Sequence, residues 1–427
     1  MRDDWIEVIY KDLVCKVSTS KQKIKQKDYL PTGKIPVVDQ GQELIGGYTN
    51  DPSKILDCRL PAIVFGDHTK IVKLINFKFA PGADGTKILQ PLSFVSAQYL
   101  AYLTPVLVSK VIDKGYARHY QHVEKSKFSL PPLPEQRTIV AKIEQLFSDL
   151  DNGIANLKSA KAKLSIYRQS VLKKAFEGEL TKEWRSQQTD LPNKSKLVKL
   201  GTIANIGTGA TPKRGKSVYW KNGTIPWITS GALNNFSVTK AKEFITETAI
   251  KETNCKIIAS GSLLVAMYGE GKTRGKCSEL LINATTNQAI ATISFEKNST
   301  NSKQYIKWFF IKNYEQIRLL SSGGVQPNLN LSIVKNTLIP IFSLQEQNQI
   351  VQEIESRLSV CGKLDESIDT SLKQADALRQ SILKRAFEGK LLTDAELTAC
   401  RKEPDWEPAE KLLEQIAHDN VELKHKN

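Results

Sequence analysis

The feature that most constrains this chain is an internal repeat. The segment RQSVLKKAFEGEL at residues 168–180 returns as RQSILKRAFEGKL at residues 379–391, an offset of 211 positions. The same offset, without a gap, aligns the pattern of residues 135–144 with that of residues 346–355. Self-similarity of this kind is the signature of a duplicated structural element. The chain is therefore expected to consist of two related halves.

Both copies of the repeat lie in long helical patterns. Apolar residues recur at heptad positions a and d from Ile143 onward, and again from Ile354 onward, where Arg357 and Ser371 interrupt the d positions. A helix of about 45 residues would extend ~65 Å, and Gly178 stands where a helix C-cap is expected. Two such stripes are buried most simply against each other, which predicts an antiparallel intramolecular coiled coil with pseudo-two-fold symmetry. The alternative is that each helix packs on its own domain or on a partner protein.

The residues that flank the two helices have the pattern of mixed α/β domains. Short apolar runs such as PAIVFG at 61–66 alternate with turn residues, whereas SAQYLAYLTPVLVSKVID at 96–113 is long enough for a helix. KIPVV at 34–38 is echoed by TIPWI at 224–228, so the second domain resembles the first with insertions. The predicted class is α+β, with two mixed α/β domains joined by two long antiparallel helices. The expected segments are a first domain at 1–130, a first long helical region at 131–180, a linker at 181–196, a second domain at 197–340, a second long helical region at 341–391 and an acidic C-terminal tail at 392–427.

The net charge of +16 lies mostly outside the helices, with +6 on residues 1–129 and +13 on residues 182–340. A basic surface of this size indicates a polyanionic partner, although it also serves general solubility. No apolar run approaches the length of a membrane helix and the N-terminus lacks the plan of a signal peptide, so we expect a cytoplasmic protein that does not interact with membranes. The six cysteines are scattered without Cys-x-x-Cys spacing, which argues against a zinc site or a disulfide framework.

One motif suggests an enzyme. AMYGEGKT at 266–273 fits a relaxed phosphate-loop pattern, which in a nucleotide-binding enzyme would use Lys272 and Thr273. A true phosphate loop starts a helix at this point, whereas the continuation RGKCSELLINATTNQAIATI has the composition of loop and strand. No histidine or cysteine stands in a recognisable nucleophile or metal arrangement. We therefore expect no catalytic residues, no metal and no cofactor on this chain.

A basic loop in the second domain has the composition of a nucleic-acid contact. GATPKRGKS at 209–217 is followed by Tyr219 and Trp220. Lysine and arginine neutralise phosphates, while flat side chains contact sugars and bases. The alternative is a solvated loop whose Trp220 packs in the core.

Together, these motifs resemble the DNA-specificity subunits of Type I restriction–modification systems. The resemblance covers the whole chain. It rests first on LPPLPEQRTIVAKIE (130–144), IPIFSLQEQNQIVQEIE (339–355) and the two RQS-x-LK-x-AFEG-x-L endings. Weaker similarity to target-recognition domains lies in FGDHTKIVKLINFKFAPGADG (65–85), ATTNQAIATI (284–293) and SSGGVQPNLNLSI (321–333).

The resemblance implies a non-catalytic subunit that reads a split double-stranded DNA target. Each variable domain would read one half, and the helix pair would space the halves. Two methyltransferase subunits would dock on the helices and domains, translocating endonuclease subunits would join for cleavage, and S-adenosylmethionine would be bound by the methyltransferase partner. The differing lengths and loops of the two domains predict an asymmetric target. A coiled-coil structural adaptor without nucleic acid is the second alternative, beside the phosphate-loop enzyme.

Under this hypothesis, base contacts come from polar loop residues, because arginine or lysine can read guanine, and asparagine or glutamine can read adenine. The candidate DNA-binding residues are Asp67, His68, Thr69, Lys70, Tyr116, Arg118 and His119 in the first domain, and Thr211, Lys213, Arg214, Tyr268, Lys272, Arg274, Gln326 and Asn328 in the second. The residues expected to pair the helices or dock a partner are Leu150, Leu157, Leu164, Phe176, Leu364, Ile368, Leu378 and Phe387.

Overall fold

A computed structural model of the chain describes residues 4–82, 85–109, 118–189, 191–192, 194–269, 272–296, 299–319, 329–408 and 411–416. The chain forms two compact units. The first comprises Met1–Leu157 and Thr370–Asn427, and the second comprises Lys158–Asp369.

The described part of the first unit contains three sheets. A four-stranded antiparallel sheet has the order β2-β8-β5-β6, a three-stranded sheet has the order β4-β3-β7, and β1 pairs with β9. The strands are β1 (Ile6–Ile9), β2 (Val14–Val17), β3 (Ile35–Val38), β4 (Gly47–Thr49), β5 (Ala62–Gly66), β6 (Val72–Ile75), β7 (Ala80–Pro81), β8 (Thr86–Pro91) and β9 (Lys127–Leu130). The helices are α1 (Ala97–Ser109), α2 (Tyr120–Val123) and the long α3 (Leu133–Phe176), which continues into the second unit. All of β5 is buried, as its uninterrupted apolar run predicts.

The second unit repeats this topology. Its strands are β10 (Lys196–Lys199), β11 (Asn205–Thr208), β12 (Ile225–Ile228), β13 (Ser237–Val238), β14 (Glu243–Ile245), β15 (Leu263–Ala266), β16 (Cys277–Leu280), β17 (Thr285–Thr286), β18 (Ile290–Ser294) and β19 (Leu338–Ile341). They form sheets of order β11-β18-β15-β16-β13, β14-β12-β17 and β10-β19. The short helices are α4 (Lys182–Ser186), α5 (Glu247–Glu252), α6 (Lys303–Lys312), α7 (Tyr314–Leu319) and α8 (Leu331–Lys335).

The strand pairings confirm that the chain is duplicated. The echo between residues 34–38 and 224–228 corresponds to β3 and β12, each of which lies between one antiparallel and one parallel neighbour. Every described strand of the first unit has a counterpart in the second, where β13 is an addition that pairs in parallel with β16. The weak sequence echoes therefore mark equivalent positions in two copies of one fold.

The second long helix, α9 (Leu344–Phe387), pairs with α3 in antiparallel orientation. In the first unit, Arg379 of α9 binds Asp151 of α3. In the second unit, Arg168 of α3 lies 3.1 Å from Asp365 of α9, and Lys161 binds Asp369. Along these ion pairs, residue numbers on α9 fall as residue numbers on α3 rise. The predicted antiparallel pair is therefore confirmed.

The helix seam differs from the predicted one at its d positions. Ile354, Cys361 and Ile368 are buried, as expected for a positions. Leu364 and Leu378, however, are 48% and 51% exposed, so of the two roles expected for them, helix pairing or partner docking, the first does not fit their position.

Charged residues explain this difference. The residues of α9 that face α3 are those at position a and those four places later. Two of the latter are Asp365 and Arg379. Opposite charges on α3 compensate them, so an apolar side chain at position d is not required. On α3, the predicted Leu150, Leu157 and Leu164 are half-buried.

Both long helices end in the same way. Gly178 and Gly389 adopt φ values of +74° and +71° just beyond the last helical residues. The amide of Glu179 donates to the carbonyl of Lys174 at 2.9 Å, and the same bond closes α9. This is the pattern of a Schellman cap, in which glycine is favoured because a Cβ disfavours positive φ. The predicted C-cap at Gly178 is confirmed, and Phe176 and Phe387 pack into hydrophobic cores rather than facing solvent.

The C-terminal segment belongs to the first unit and packs against the rest of it. It contains α10 (Asp394–Cys400), whose capping box is formed by Thr393 and Glu396. Lys142 of α3 lies 2.9 Å from Glu396, and Arg137 lies 2.6 Å from Asp405. Residues 411–416 form a short helix that buries Leu412 in the core of this unit. The described residues of the tail, 392–408 and 411–416, therefore form a folded strap.

None of the described helices combines the length and apolar character needed to cross a membrane. The six cysteines are free thiols. Among the residues that the structure describes, His, Cys, Asp and Glu side chains form no group suited to a metal ion.

Candidate nucleic-acid interface

In the second unit, the loops that carry the candidate residues emerge at one edge of the five-stranded sheet. The neighbouring strands β11, β18, β15 and β16 are antiparallel, with Ala266 opposite Ile290 and Val265 opposite Cys277. The end of one strand therefore lies beside the start of the next. The structure thus brings together the loops containing Thr211, Lys213, Arg214, Tyr268, Lys272 and Arg274.

Hydrogen bonds hold these loops against each other. The Thr211 hydroxyl donates to Oε1 of Gln288, and the amide of Met267 donates to the carbonyl of Ala289 at 2.8 Å. Tyr268 is exposed beside this bond. Gln288 is an exposed amide that was not predicted as a site residue, although it belongs to the run ATTNQAIATI at 284–293.

The phosphate-loop interpretation of the second unit is not supported. Residues 272–275 form a turn, and the chain then enters β16 rather than a helix. Lys272 and Thr273 consequently do not stand at a helix N-terminus, which a phosphate loop requires. Lys272 is exposed at the sheet edge, Thr273 donates to Oδ1 of Asn234 at 3.3 Å, and Arg274 is half-buried.

Arg214 is bound within its own unit. Its guanidinium lies 4.1 Å from the ring centroid of Trp220 and 4.7 Å from that of Trp227. It also forms two hydrogen bonds with Glu243. Lys213, the preceding residue, is exposed.

The equivalent sheet edge of the first unit carries another set of polar loops. Gly66 at the end of β5 lies opposite Thr86 at the start of β8. The exposed Thr69 donates its hydroxyl to the carbonyl of Gln40 at 2.7 Å, and the amide of His68 donates to Gln40 Oε1 at 3.3 Å. Gln40, which follows the predicted strand at 34–38, was missed as a site residue.

Lys70 completes this loop and is half-buried. Its φ of +62° is unusual for a residue with a side chain. The Lys70 conformation turns the chain sharply between β5 and β6. The candidates His68, Thr69 and Lys70 therefore lie together at the edge.

Two first-unit candidates are buried instead of exposed. Asp67 is 3% exposed and His119 is 1% exposed. Asp67 accepts the amide of Tyr120 at 2.9 Å through its carboxylate and the amide of His119 at 2.9 Å through its carbonyl. Lys87 lies 3.7 Å from the same carboxylate. Asp67 and His119 thus hold the segment before α2 against the end of β5, a role that their polarity alone did not reveal.

Arg118 is exposed beside this buried pair. The candidates Tyr116, Gln326 and Asn328 lie outside the described residues. Each unit therefore presents exposed cationic and hydroxyl side chains at an equivalent sheet edge, together with an amide that is half-buried in the first unit (Gln40) and exposed in the second (Gln288). Cations can bind phosphates, and amides and hydroxyls can bind the edges of bases.

Comparisons with known proteins agree with this geometry. Residues 192–374 match the family model described as the Type I restriction modification DNA specificity domain. The chain is 24% identical over 368 residues to the Type I restriction enzyme EcoR124I/EcoR124II specificity subunit of Escherichia coli, covering 83% of this chain and 87% of the relative. It is 22% identical over 418 residues to the Escherichia coli EcoDI specificity subunit, covering 91% and 89% of the two chains.

Solved structures show the same fold. The HsdS subunit from Thermoanaerobacter tengcongensis superposes with a TM-score of 0.62 at 18% identity, covering 92% of this chain and 98% of the other. A chain solved in work on complex assembly and conformational transition of the Type I restriction–modification system gives a TM-score of 0.68 at 18% identity, covering 92% and 99%. Similarity thus extends over both units and both long helices.

Proposed function

The chain belongs to the DNA-specificity subunits of Type I restriction–modification systems, and we propose that it reads a split, asymmetric DNA target with two different surfaces. Recognition of DNA sequence is the function of this family. The proposal adds that residues 1–130 and 197–340 are separate target-recognition domains, each reading one half of the target. The observation that carries it is the repeated strand topology with a polar sheet edge in each unit.

The different placement of polar side chains at the two edges supports an asymmetric target. In the first unit Gln40 follows β3 and Thr69 follows β5, whereas in the second Gln288 precedes β18 and Thr211 follows β11. The two edges thus carry similar donors and acceptors on loops that are not equivalent in the repeated fold. A target of two identical half-sites would favour two similar surfaces instead.

The long helices support a role for partner proteins. Leu364 and Leu378 are large apolar side chains exposed on the surface of α9. Two methyltransferase subunits that dock along the helices would cover such residues. In this proposal those subunits bind S-adenosylmethionine and methylate adenine, translocating endonuclease subunits cleave DNA, and this chain performs neither reaction.

An exchange of domains tests the division of the target. Residues 197–340 would be replaced by the corresponding segment of a relative with another target, and the methylated adenines would be mapped by sequencing. We expect one half of the target to change while the other half and the spacer stay. The matched control exchanges residues 1–130 and should change the opposite half. A wholly new target, or an unchanged one, would contradict the proposal.

The salt dependence of binding tests the contact with DNA itself. Each phosphate that the assembled complex neutralises should contribute about −0.9 to the slope of log affinity against log salt concentration. A flat profile would contradict DNA binding. It would favour a structural adaptor that assembles with a methyltransferase but does not touch nucleic acid.

A further inference from the structure

Two tryptophans shape the basic loop at residues 209–217. The indole of Trp227 on β12 donates to the carbonyl of Ala210 at 3.0 Å. The indole of Trp220 donates to the carbonyl of Lys213 at 3.3 Å. The two rings are perpendicular, with centroids 5.1 Å apart. The tryptophan pair therefore holds the loop backbone at two points.

Arg214 links this tryptophan pair to the neighbouring strand. Its guanidinium lies within 5 Å of both rings, which is the distance range of a cation–π contact. Both terminal nitrogens donate to the carboxylate of Glu243 on β14, one of them at 3.2 Å. A planar guanidinium suits this combination of stacking and paired hydrogen bonds, whereas an ammonium does not. The charge of Arg214 is thus matched by Glu243 of the same unit, in an ion pair at the surface where the Arg214 side chain is 54% exposed.

The other polar residues of the loop divide into two groups. Lys216 binds Glu252 at 2.7 Å and the Tyr219 hydroxyl at 2.8 Å, so its charge is also matched. Lys213 and Thr211 are exposed, and Thr211 contacts Gln288 across the sheet edge. Arg214 and Lys216 are exposed as well, so the loop residues differ in charge pairing rather than in burial: Arg214 and Lys216 each bind a carboxylate of this unit.

We propose that Arg214 is a positioning residue for DNA recognition, which fixes the loop so that Lys213 and Thr211 contact DNA. This inference rests on the proposed function. It revises the expectation that Arg214 itself contacts a base. Glu243, Trp220 and Trp227 act through Arg214 and the loop backbone, and Lys213 supplies the contact with phosphate.

Salt dependence separates positioning from contact. A residue that neutralises a phosphate contributes about −0.9 to the log–log salt slope, so its removal makes the slope shallower by that amount. We expect this change for Lys213→Ala. Arg214→Ala should weaken DNA binding by roughly fivefold, the size of a single cation–π contact, while leaving the slope unchanged.

Two further variants make the assignment specific. Arg214→Lys keeps the positive charge but loses the planar pair with Glu243, so it should bind DNA as weakly as Arg214→Ala. Glu243→Gln keeps Arg214 and the side-chain size, and should weaken binding in the same direction without changing the slope. Because Glu243 has the wrong charge to bind phosphate, its effect reports on loop geometry.

The experiment measures DNA affinity of the full chain, assembled with its methyltransferase subunits, across a salt series for each variant. Thermal unfolding of each complex shows whether the variant folds. A shallower slope for Arg214→Ala, or recovery of binding by Arg214→Lys, would overturn the positioning role and leave the proposed function standing. Absence of salt-dependent DNA binding by the unmodified complex would instead overturn the proposed function.

Discussion

Phe387, the last residue of α9, packs edge-on against Tyr99 in the first unit, with ring centroids 5.3 Å apart. Its counterpart in the repeat, Phe176 at the end of α3, lies 4.9 Å from Tyr305 in the second unit. Burial raises the pKa of both tyrosines far above its ordinary value, so the rings pack as neutral groups. The core of each unit thus includes the last residue of the long helix that begins in the other unit.

Truncation of these phenylalanines should destabilise the chain unequally. We expect Phe176→Ala to lower the free energy of unfolding by about 3–5 kcal/mol, the range for a buried phenylalanine. Phe176 is 6% exposed and also contacts Phe309 at 5.4 Å, whereas Phe387 is only partly buried. Phe387→Ala should therefore cost less. Denaturant unfolding of the two variants checks the order, and an equal loss would contradict it.

The ion pair between Arg379 and Asp151 should contribute to helix pairing. Arg379→Asp places two like charges together in the seam and should destabilise the first unit by about 1 kcal/mol, since Asp151 is 61% exposed and Arg379 33% exposed. The exchanged variant Asp151→Arg with Arg379→Asp restores opposite charges. It should recover most of the loss in thermal unfolding. If the exchange recovers nothing, the pair does not stabilise the helices.

Gln288 should specify one base of the second half-target. Its amide is exposed at the sheet edge and is held by Thr211. Gln288→Ala is expected to reduce discrimination at a single position by about 1–3 kcal/mol, the value of one good amide–base contact. Competition binding with substituted targets measures this change. Gln40→Ala is the matched control, which should affect only the first half.

The C-terminal strap should loosen in acid. The amide of Thr393 and the ammonium of Lys142 lower the pKa of Glu396 below its ordinary 4.5. The Arg137 guanidinium lowers the pKa of Asp405 below its ordinary 3.8. Carboxyls with a lowered pKa stabilise the fold above their ordinary values and lose this contribution as pH falls through the folded values.

Hydrogen exchange of residues 392–408 between pH 6 and pH 3 is the suitable measurement. We expect faster opening of the strap below about pH 4.5, after correction for the intrinsic exchange rate. Glu396→Gln with Asp405→Asn removes both titrating groups, so the strap should already be loose at pH 6 and change less with pH. An unmodified strap that opens equally at both pH values would contradict this account.

The sequence alone determined the architecture of this protein. A segment repeated without a gap at an offset of 211 positions, and the apolar a positions of two long helices, predicted a duplicated chain with an antiparallel helix pair. These features are readable because helix periodicity and capping depend on residues close in sequence, as at Gly178. The charge excess on the domains likewise pointed to the class of partner.

Tertiary structure alone decided which polar residues are available for binding. Asp67 and His119 have the composition of a site, yet residues distant in sequence bury them, and Gln40 and Gln288 reach the edges through strand pairing. The same reason explains the helix seam. Asp365 and Arg379 lie in the seam because they bind opposite charges on α3, whereas the neighbouring Leu364 and Leu378 are exposed. Burial and charge compensation depend on partners far along the chain, and only the folded structure brings those partners together.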